Sequence, residues 1–330
     1  MKIISLFFLI FVVGCTSNHS EFGEAGTSED LLNEIIDNMQ ARSINKDTID
    51  WDDFRRKVFE VAKITPGDTT KFYGYDRNTL LAIEKALDLL KDHHSFYRTL
   101  HGTSVRGSGR KCTAPYPMVT EIPDHIGYLK VGSISADSYN AKGYPTVLQV
   151  RIRNQDDKNI SGWIIDLRGN TGGSMSLMLA GISSILGEGV TGYFIDPDGN
   201  ETIHEIKGNA FWIDGRPIHT LSQPTYKLIN DSPKVAVLID QRVMSSGEAV
   251  AISFKKRSRT KFFGTSTCGL STVNRHTLLR NGGVLVLTVS TMADREKEKY
   301  GDSVQPDILV ENPSDVVRKA IEWMSADDSR

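Results

Sequence analysis

Several signatures that would place this chain quickly are missing. Its 330 residues hold eight histidines and only three cysteines, and none falls in a metal-ligand spacing such as H-E-x-x-H, so no metal is expected. The phosphate loop G-x-x-x-x-G-K-[ST] and the dinucleotide fingerprint are both absent, which leaves no reason to expect a nucleotide or any other cofactor. A net charge of −2 offers no attraction to nucleic acid. The one basic run, KKRSRTK at residues 255–261, comes where a helix opened near Ser245 should end, and it reads as a solvated helix end whose cations favour the dipole. The apolar segment at residues 3–13 is too short to span a bilayer. What remains is an ordinary globular composition, 39% hydrophobic and 24% charged, long enough for one large cored domain or two smaller ones.

The N-terminus reads as an address rather than as structure. Lys2 followed by the apolar residues 3–13 has the form of a signal peptide. The segment ends in VVGC, which resembles the lipobox of bacterial lipoproteins, where cleavage before Cys15 leaves that cysteine to carry the lipid. The expected division is a lipoprotein signal peptide at 1–14, a polar linker at 15–29, a helical N-terminal domain at 30–100 and a core domain at 101–330. The mature protein is expected outside the cytoplasm, tethered to a membrane through a lipid at Cys15. Cys112 and Cys268 then remain; an oxidising compartment permits them to pair, but spacing does not say whether they adjoin.

Periodicity divides the rest in two. Leu31, Leu32, Ile35, Ile36 and Met39 share one helical face, and Leu80, Ile83, Leu87 and Leu90 share another. Between them IDWDDFRRKVFEVAK suggests a third helix capped by Asp50. From residue 126 short apolar runs suited to buried strands, IGYLKVGSI, GWIIDLRG, KVAVLID and KFFGT, alternate with helical stretches near 141–153, 176–186 and 247–256. That order predicts an α/β core. Asn281-Gly282 between HTLL and VLVLTV predicts a hairpin, and residues 316–324 a closing amphipathic helix.

Three motifs carry chemistry. In VMSSGEAV, residues 243–250, Ser245 and Glu248 have capping-box spacing, yet a serine at a strand-to-helix turn also stands exposed in front of helix amides. One structure can serve both ends. DLRGNTGG, residues 166–173, ends a buried strand in three glycines, which permits a tight turn or backbone amides turned toward an anion. KDHHSF, residues 91–96, places His93 and His94 between Asp92 and Ser95, neighbours able to hold a base in one tautomer.

Together the glycine loop D-L-R-x-N-x-G-G, the S-S-G-E junction and the FFGTSTCG to VQPDI region resemble the C-terminal processing, or tail-specific, serine peptidases. The resemblance implies a crotonase-like (ClpP/crotonase-type) α/β core of ββα units, a peptide or protein substrate cut near its C-terminus, and Ser245 as nucleophile. Where the tail-specific branch carries its lysine base, in G-E-x-T-x-G-K, this chain has Leu270, and leucine takes no proton. Lys261 would serve only by coincidental placement. The tricorn and nisin-resistance branch instead takes a histidine from D-x-H-S, which matches DHHS with His94. Only about 30 residues separate His94 from the first core strand, too few for the ~90 of a PDZ domain. The implied site is therefore Ser245 with His94 as base, donors from the Ser246 N–H and from Gly172 or Gly173, and an acid behind His94. Glu248 is the first choice for that acid and Asp294 the second, with Glu298 in the same segment. A non-catalytic ligand carrier on the same fold, and an esterase or amidase using the same serine, are the competing readings.

Overall fold

The computed structural model describes residues 27–63, 77–110, 112–115 and 121–326; the expected signal peptide, Cys15 and most of the expected linker lie outside them. Three helices come first: α1 (Ser28–Arg42), α2 (Trp51–Ala62) and α3 (Arg77–Leu90). The apolar face expected of α1, Leu31, Leu32, Ile35, Ile36 and Met39, is its buried face. Asp50 caps α2 by accepting from the Asp53 N–H at 3.1 Å. The first helix begins at Ser28, inside the stretch expected to be linker, with Thr27 and Asp30 closing a capping box.

The strands β1 (Phe96–Arg98), β2 (Ser104–Arg106) and β3 (Ile126–Lys130) lead into α4 (Tyr144–Gln155) and β4 (Gly162–Asp166). Then follow α5 (Met175–Gly181), α6 (Ser183–Leu186), β5 (Gly189–Ile195), β6 (Glu201–Lys207), β7 (Ala210–Ile213), β8 (Arg216–Thr220), β9 (Lys234–Ile239) and α7 (Ser246–Phe254). The chain closes with β10 (Thr260–Gly264), β11 (Thr272–Leu278), β12 (Val284–Ala293), β13 (Ile308–Leu309) and α8 (Val316–Ser325).

Two sheets organise these elements. The expected apolar runs form an all-parallel sheet in the order β13-β10-β9-β4-β3, and every residue of β4 and β9 is buried, as a sheet covered on both faces requires. The second sheet is antiparallel in the order β2-β1-β12-β5-β6-β7-β8, with β11 also on β12. Its meander β5 to β8 was not expected from the sequence. The expected hairpin is β11–β12, closed between Leu278 and Val284 with Gly282 at φ 77°.

One apolar cluster, including Leu129, Trp163, Met178, Val237 and Phe254, fills the space around α4, α5 and α7. A second cluster joins the N-terminal helices to Tyr97, Leu279, Leu285 and Leu287. The helical region is thus packed onto β1 and β12 rather than hung from the core, and its last turn is carried to the edge of the parallel sheet's loops.

Candidate active site

Strands β4 and β9 are parallel neighbours with Asp166 opposite Leu238, so the loops after them emerge side by side beyond their carboxyl ends, where open α/β sheets bind ligands. The two loops are stitched together. Asp240 Oδ1 accepts the Gly169 N–H at 3.0 Å, and the Asn170 carbonyl accepts the Met244 N–H at 3.0 Å. Ser246 Oγ donates to the Gly173 carbonyl at 2.7 Å. Upstream, Asp166 is fully buried and paired with Arg168 through contacts of 3.0 and 2.8 Å, with Tyr128 donating at 2.8 Å. That half of DLRG anchors the loop.

At the mouth of α7, Ser245 has φ 54° and ψ −124°. A non-glycine residue rarely holds this conformation, which costs on the order of 1–3 kcal/mol and persists only where the surroundings impose it. Here they do. The helix starts at the next residue, the Asn170 carbonyl fixes Met244, and Glu248 Oε2 accepts the Ser245 N–H at 3.1 Å. The capping box is closed by this glutamate half, since the Glu248 N–H gives its bond to the Ser245 carbonyl at 2.9 Å. Gly247 sits against the Asn170 carbonyl, where a Cβ would come within 2.5 Å, so the turn admits no larger residue. The hydroxyl is left facing His94: Nε2 lies 3.1 Å from Ser245 Oγ.

The DHHS turn brings the imidazole there. Lys91 and His93 both take positive φ, 58° and 57°, reversing the chain after α3. Asp92 Oδ1 then accepts the His94 and Ser95 N–H groups at 2.9 and 2.8 Å, and Oδ2 accepts the Ser95 hydroxyl at 2.6 Å. His93 points away, its Nδ1 being 3.1 Å from the Ser108 carbonyl. His94 is only 8% exposed, and burial pushes its pKa down to about 4, with Asp92 opposing and Arg106 adding to the fall. The ring is therefore neutral at neutral pH. Its second nitrogen, Nδ1, lies 2.8 Å from Thr272 Oγ1.

Thr272 corrects the expectation about the acid. Glu248 does not reach the imidazole, because as the third residue of its helix it turns back to the Ser245 N–H and also accepts the Gly269 and Leu270 N–H groups at 2.9 and 2.7 Å and the Thr267 hydroxyl. Burial pushes its carboxyl up to about 7 against these four donors. Asp294 is spent on its own turn, accepting from the Glu296 and Glu298 N–H groups at 2.9 and 3.1 Å and from Tyr300 at 3.2 Å. Glu298 pairs with Lys256. Lys261 extends from β10 toward Trp323, 5.8 Å from its ring, and Leu270 gives its backbone N–H to Glu248.

The glycine loop needs one further correction. Gly172 spends its N–H on Asn170 Oδ1 at 2.9 Å; its lack of a side chain matters instead because a Cβ would meet the Met244 carbonyl at 2.9 Å and Ser245 Cβ at 3.1 Å. The N–H groups of Gly173 and Ser246 keep no acceptor among the described residues, and the Ser246–Gly173 hydrogen bond holds them together. Asn170 is the organising residue that sequence reasoning passed over. It is fully buried inside the quoted motif, its amide nitrogen donating to the Val131 carbonyl at 3.0 Å. The pairing left open by the sequence is made: Cys112 and Cys268 form a disulfide, while the Cys268 N–H donates to the Val243 carbonyl at 2.9 Å, beside the serine turn.

A hydroxyl on a strained strand-to-helix turn, a neutral imidazole against it and two idle amides beside it have the form of a serine-hydrolase site on a mixed α/β fold. Residues 125–310 match Peptidase family S41, and the chain belongs to that family, whose members are serine peptidases. It is similar to the nisin-resistance protein of Lactococcus lactis subsp. lactis, 26% identical over 292 residues that cover 88% of this chain and 85% of that one. Among solved structures it shares its fold with a lipoprotein from Streptococcus agalactiae, at a TM-score of 0.70 and 24% identity over 90% of this chain and 96% of that one. It also shares the fold of the photosystem II D1 C-terminal processing protease, at a TM-score of 0.54 and 14% identity over 87% and 93% of the two chains.

Proposed function

We propose that this chain is an extracytoplasmic serine endopeptidase that cleaves near peptide C-termini by a Ser-His mechanism. The observation that carries the reading is the 3.1 Å approach of His94 Nε2 to Ser245 Oγ across 151 residues of sequence. With the Nδ1 proton donated to Thr272 Oγ1, Nε2 keeps its lone pair for the serine proton. Ser245 attacks the peptide carbonyl, and the Ser246 and Gly173 N–H groups receive the oxyanion, each worth on the order of a hundredfold in rate. His94 returns the proton to the leaving amine, and water then repeats the sequence on the acyl-enzyme. Thr272 positions the base in place of an acid.

The same reading takes the core, 101–330, as crotonase-like, residues 30–100 as the helical domain that supplies the base, 1–14 as signal peptide, and 15–29 as a linker from a lipid on Cys15. Among the described residues no helix is long and apolar enough to cross a membrane. A fluorophosphonate probe tests the mechanism without a known substrate. Labelling of the wild type that disappears in Ser245→Ala and collapses in His94→Ala supports it. A wild type that does not label favours the ligand carrier. Mass spectrometry of a digested peptide library then separates a peptidase from an esterase.

A further inference from the structure

The disulfide joins the two segments that carry the proposed base and support the proposed nucleophile. After β2 the chain passes over the last turns of α3. Gly107 lies directly on them, where a Cβ would come within 2.8 Å of Asp88 Oδ1 and 2.9 Å of the Asp88 nitrogen, and Ser108 donates its N–H and, at 2.6 Å, its hydroxyl to the same carboxylate. The Ser108 carbonyl is 3.1 Å from His93 Nδ1, so this strap rests on the residue before the base. Its far end is Cys112, bonded to Cys268.

Cys268 lies within the loop that supports the serine turn. Thr267, Gly269 and Leu270 all donate to Glu248, which accepts the Ser245 N–H at 3.1 Å, and the Cys268 N–H binds the carbonyl of Val243, two residues before Ser245, at 2.9 Å. Two residues past Leu270, Thr272 meets His94 Nδ1 at 2.8 Å. One loop thus touches the nucleophile's turn and the partner of the base.

We infer that the Cys112–Cys268 bridge is a redox latch on the reactivity of the site: the bridged enzyme is competent, and the dithiol enzyme stays folded but slow. This rests on the peptidase reading. The physical reason is tether length. Along the chain 151 residues separate His94 from Ser245, whereas the path through the bridge runs 18 residues from His94 to Cys112 and 23 from Cys268 back to Ser245. A shorter tether confines its ends more closely and raises the effective concentration of one at the other, and misplacement of reacting groups by a fraction of their contact distance is costly in rate. Arg110 spans the same gap to Asp302 at 2.6 Å, but these side chains are 39% and 69% exposed, and so solvated a pair does not replace a covalent bond. A chain held in a reducing compartment is thereby kept slow, and oxidation after export switches it on.

Cys112 is the half-buried partner and Cys268 the buried one, so a dithiol reductant attacks at Cys112. Its thiolate bonds to Cys112 Sγ, and Cys268 Sγ leaves with the electron pair and takes a proton. The second thiolate of the reductant then displaces Cys112 Sγ, which also takes a proton, and closes the reductant's own disulfide; two electrons and two protons have passed to the protein, and a disulfide oxidant removes them by the reverse route.

The test equilibrates the full chain with reduced and oxidised dithiothreitol at varied ratios. At each ratio alkylation and mass spectrometry give the bridged fraction at Cys112 and Cys268, circular dichroism below the Tm of the dithiol form gives the folded fraction, and the fluorophosphonate probe gives the labelling rate. The expected rate follows the bridged fraction, falls by about tenfold or more in the dithiol form while the folded signal holds, and recovers on oxidation. Cys112→Ser/Cys268→Ser should label at the slow rate at every ratio. A folded dithiol form that labels within about twofold of the bridged one, or a rate that falls only as the folded signal falls, makes the bridge a staple alone and overturns the latch. If the bridged wild type does not label at all, the peptidase reading fails, and hydrogen exchange decides the latch by itself: faster exchange at residues 91–95 and 267–272 in the dithiol form supports it, and equal exchange in the two forms overturns it.

Discussion

Replacing Thr272 with valine removes one hydroxyl and almost nothing else. The side chain keeps its shape, so packing around the 7%-exposed residue survives, and the effect isolates the contact between Thr272 Oγ1 and His94 Nδ1 at 2.8 Å. His94 is itself buried, so water does not readily replace the lost partner. Two states are then open to the imidazole. If Nδ1 keeps its proton, a buried donor goes unsatisfied at about 1–3 kcal/mol. If the proton moves to Nε2, the base presents an N–H to Ser245 and has no lone pair to accept with. Either route takes the same order of free energy out of the activated state, equivalent to a slowing of roughly 5- to 150-fold. The second-order rate of fluorophosphonate labelling measures this without a substrate, with Ser245→Ala as the blank. Thr272→Ser should restore most of the rate, because it returns the oxygen. Asp294→Asn should slow labelling far less, since that carboxylate holds only its own turn. A Thr272→Val rate within about twofold of wild type, against this expected loss, would refute the positioning argument, as would a larger loss in Asp294→Asn.

The other expectations follow from the same geometry. Labelling and hydrolysis should be flat through neutral pH and fall in acid with a midpoint near the His94 pKa of about 4; a midpoint near 6.5 would mean that the ring is solvated. Stability should show the linked effect. His94, whose folded pKa of about 4 lies below its ordinary 6.5, contributes fully above 6.5 and loses that contribution as pH falls toward 4. Glu248, raised from 4.5 to about 7, contributes fully below 4.5 and loses it as pH rises through 7, and urea titrations across pH check both arms. Gly173→Ala would put a Cβ 2.1 Å from the Ile134 carbonyl oxygen at φ 116°. The atom it meets is backbone, so the loop must shift and carry the Gly173 N–H with it, with at least about a hundredfold loss of labelling and a lower Tm; unchanged values would refute the need for glycine there. Cys112→Ser opens a bridge between residues 156 apart, at about 2–5 kcal/mol of stability, and differential scanning calorimetry that finds Tm unmoved would show the bridge to be idle.

What was legible beforehand follows the range of the forces involved. Helix faces and buried strands were readable because their periodicity is local: the five apolar residues of α1 and the all-buried β4 and β9 are patterns within a few turns or one strand. Ser245 and His94 were readable because each carries its own supports, Glu248 three residues after one and Asp92 two before the other. The meander β5 to β8 was missed because GVTGYFI interrupts its apolar residues with two glycines and ETIHEIK mixes charged residues with two isoleucines, so neither shows the clean alternation of a half-buried strand. Thr272 was missed for a different reason. Nothing within β11 distinguishes it from any other β-branched strand residue, and its function arises only because β11 pairs with β12, whose Thr288 in turn accepts and donates hydrogen bonds with Ser95 beside His94.

That dependence explains how the expected acid and the missing lysine are connected. Glu248 is the natural candidate from sequence because it sits one turn from Ser245, but a helix directs its third residue back toward the N-terminal amides, and those amides, together with Gly269 and Leu270, satisfy it. The loop at 267–270 is held through the Gly269 and Leu270 N–H groups, the Thr267 hydroxyl and the Cys268 bridge, none of which needs the side chain at 270. In the proposed mechanism the base arrives from elsewhere, through two elements that the parallel sheet does not supply, the turn before β1 and the start of β11. The His94 ring comes with the first and its Thr272 partner with the second, while the apolar cluster that fastens α1, α2 and α3 to Leu285 and Leu287 decides whether both stay within hydrogen-bond reach of Ser245. In the proposed mechanism the helical front end is consequently part of the catalytic apparatus, because the packing of that cluster helps to hold the base within reach of the serine.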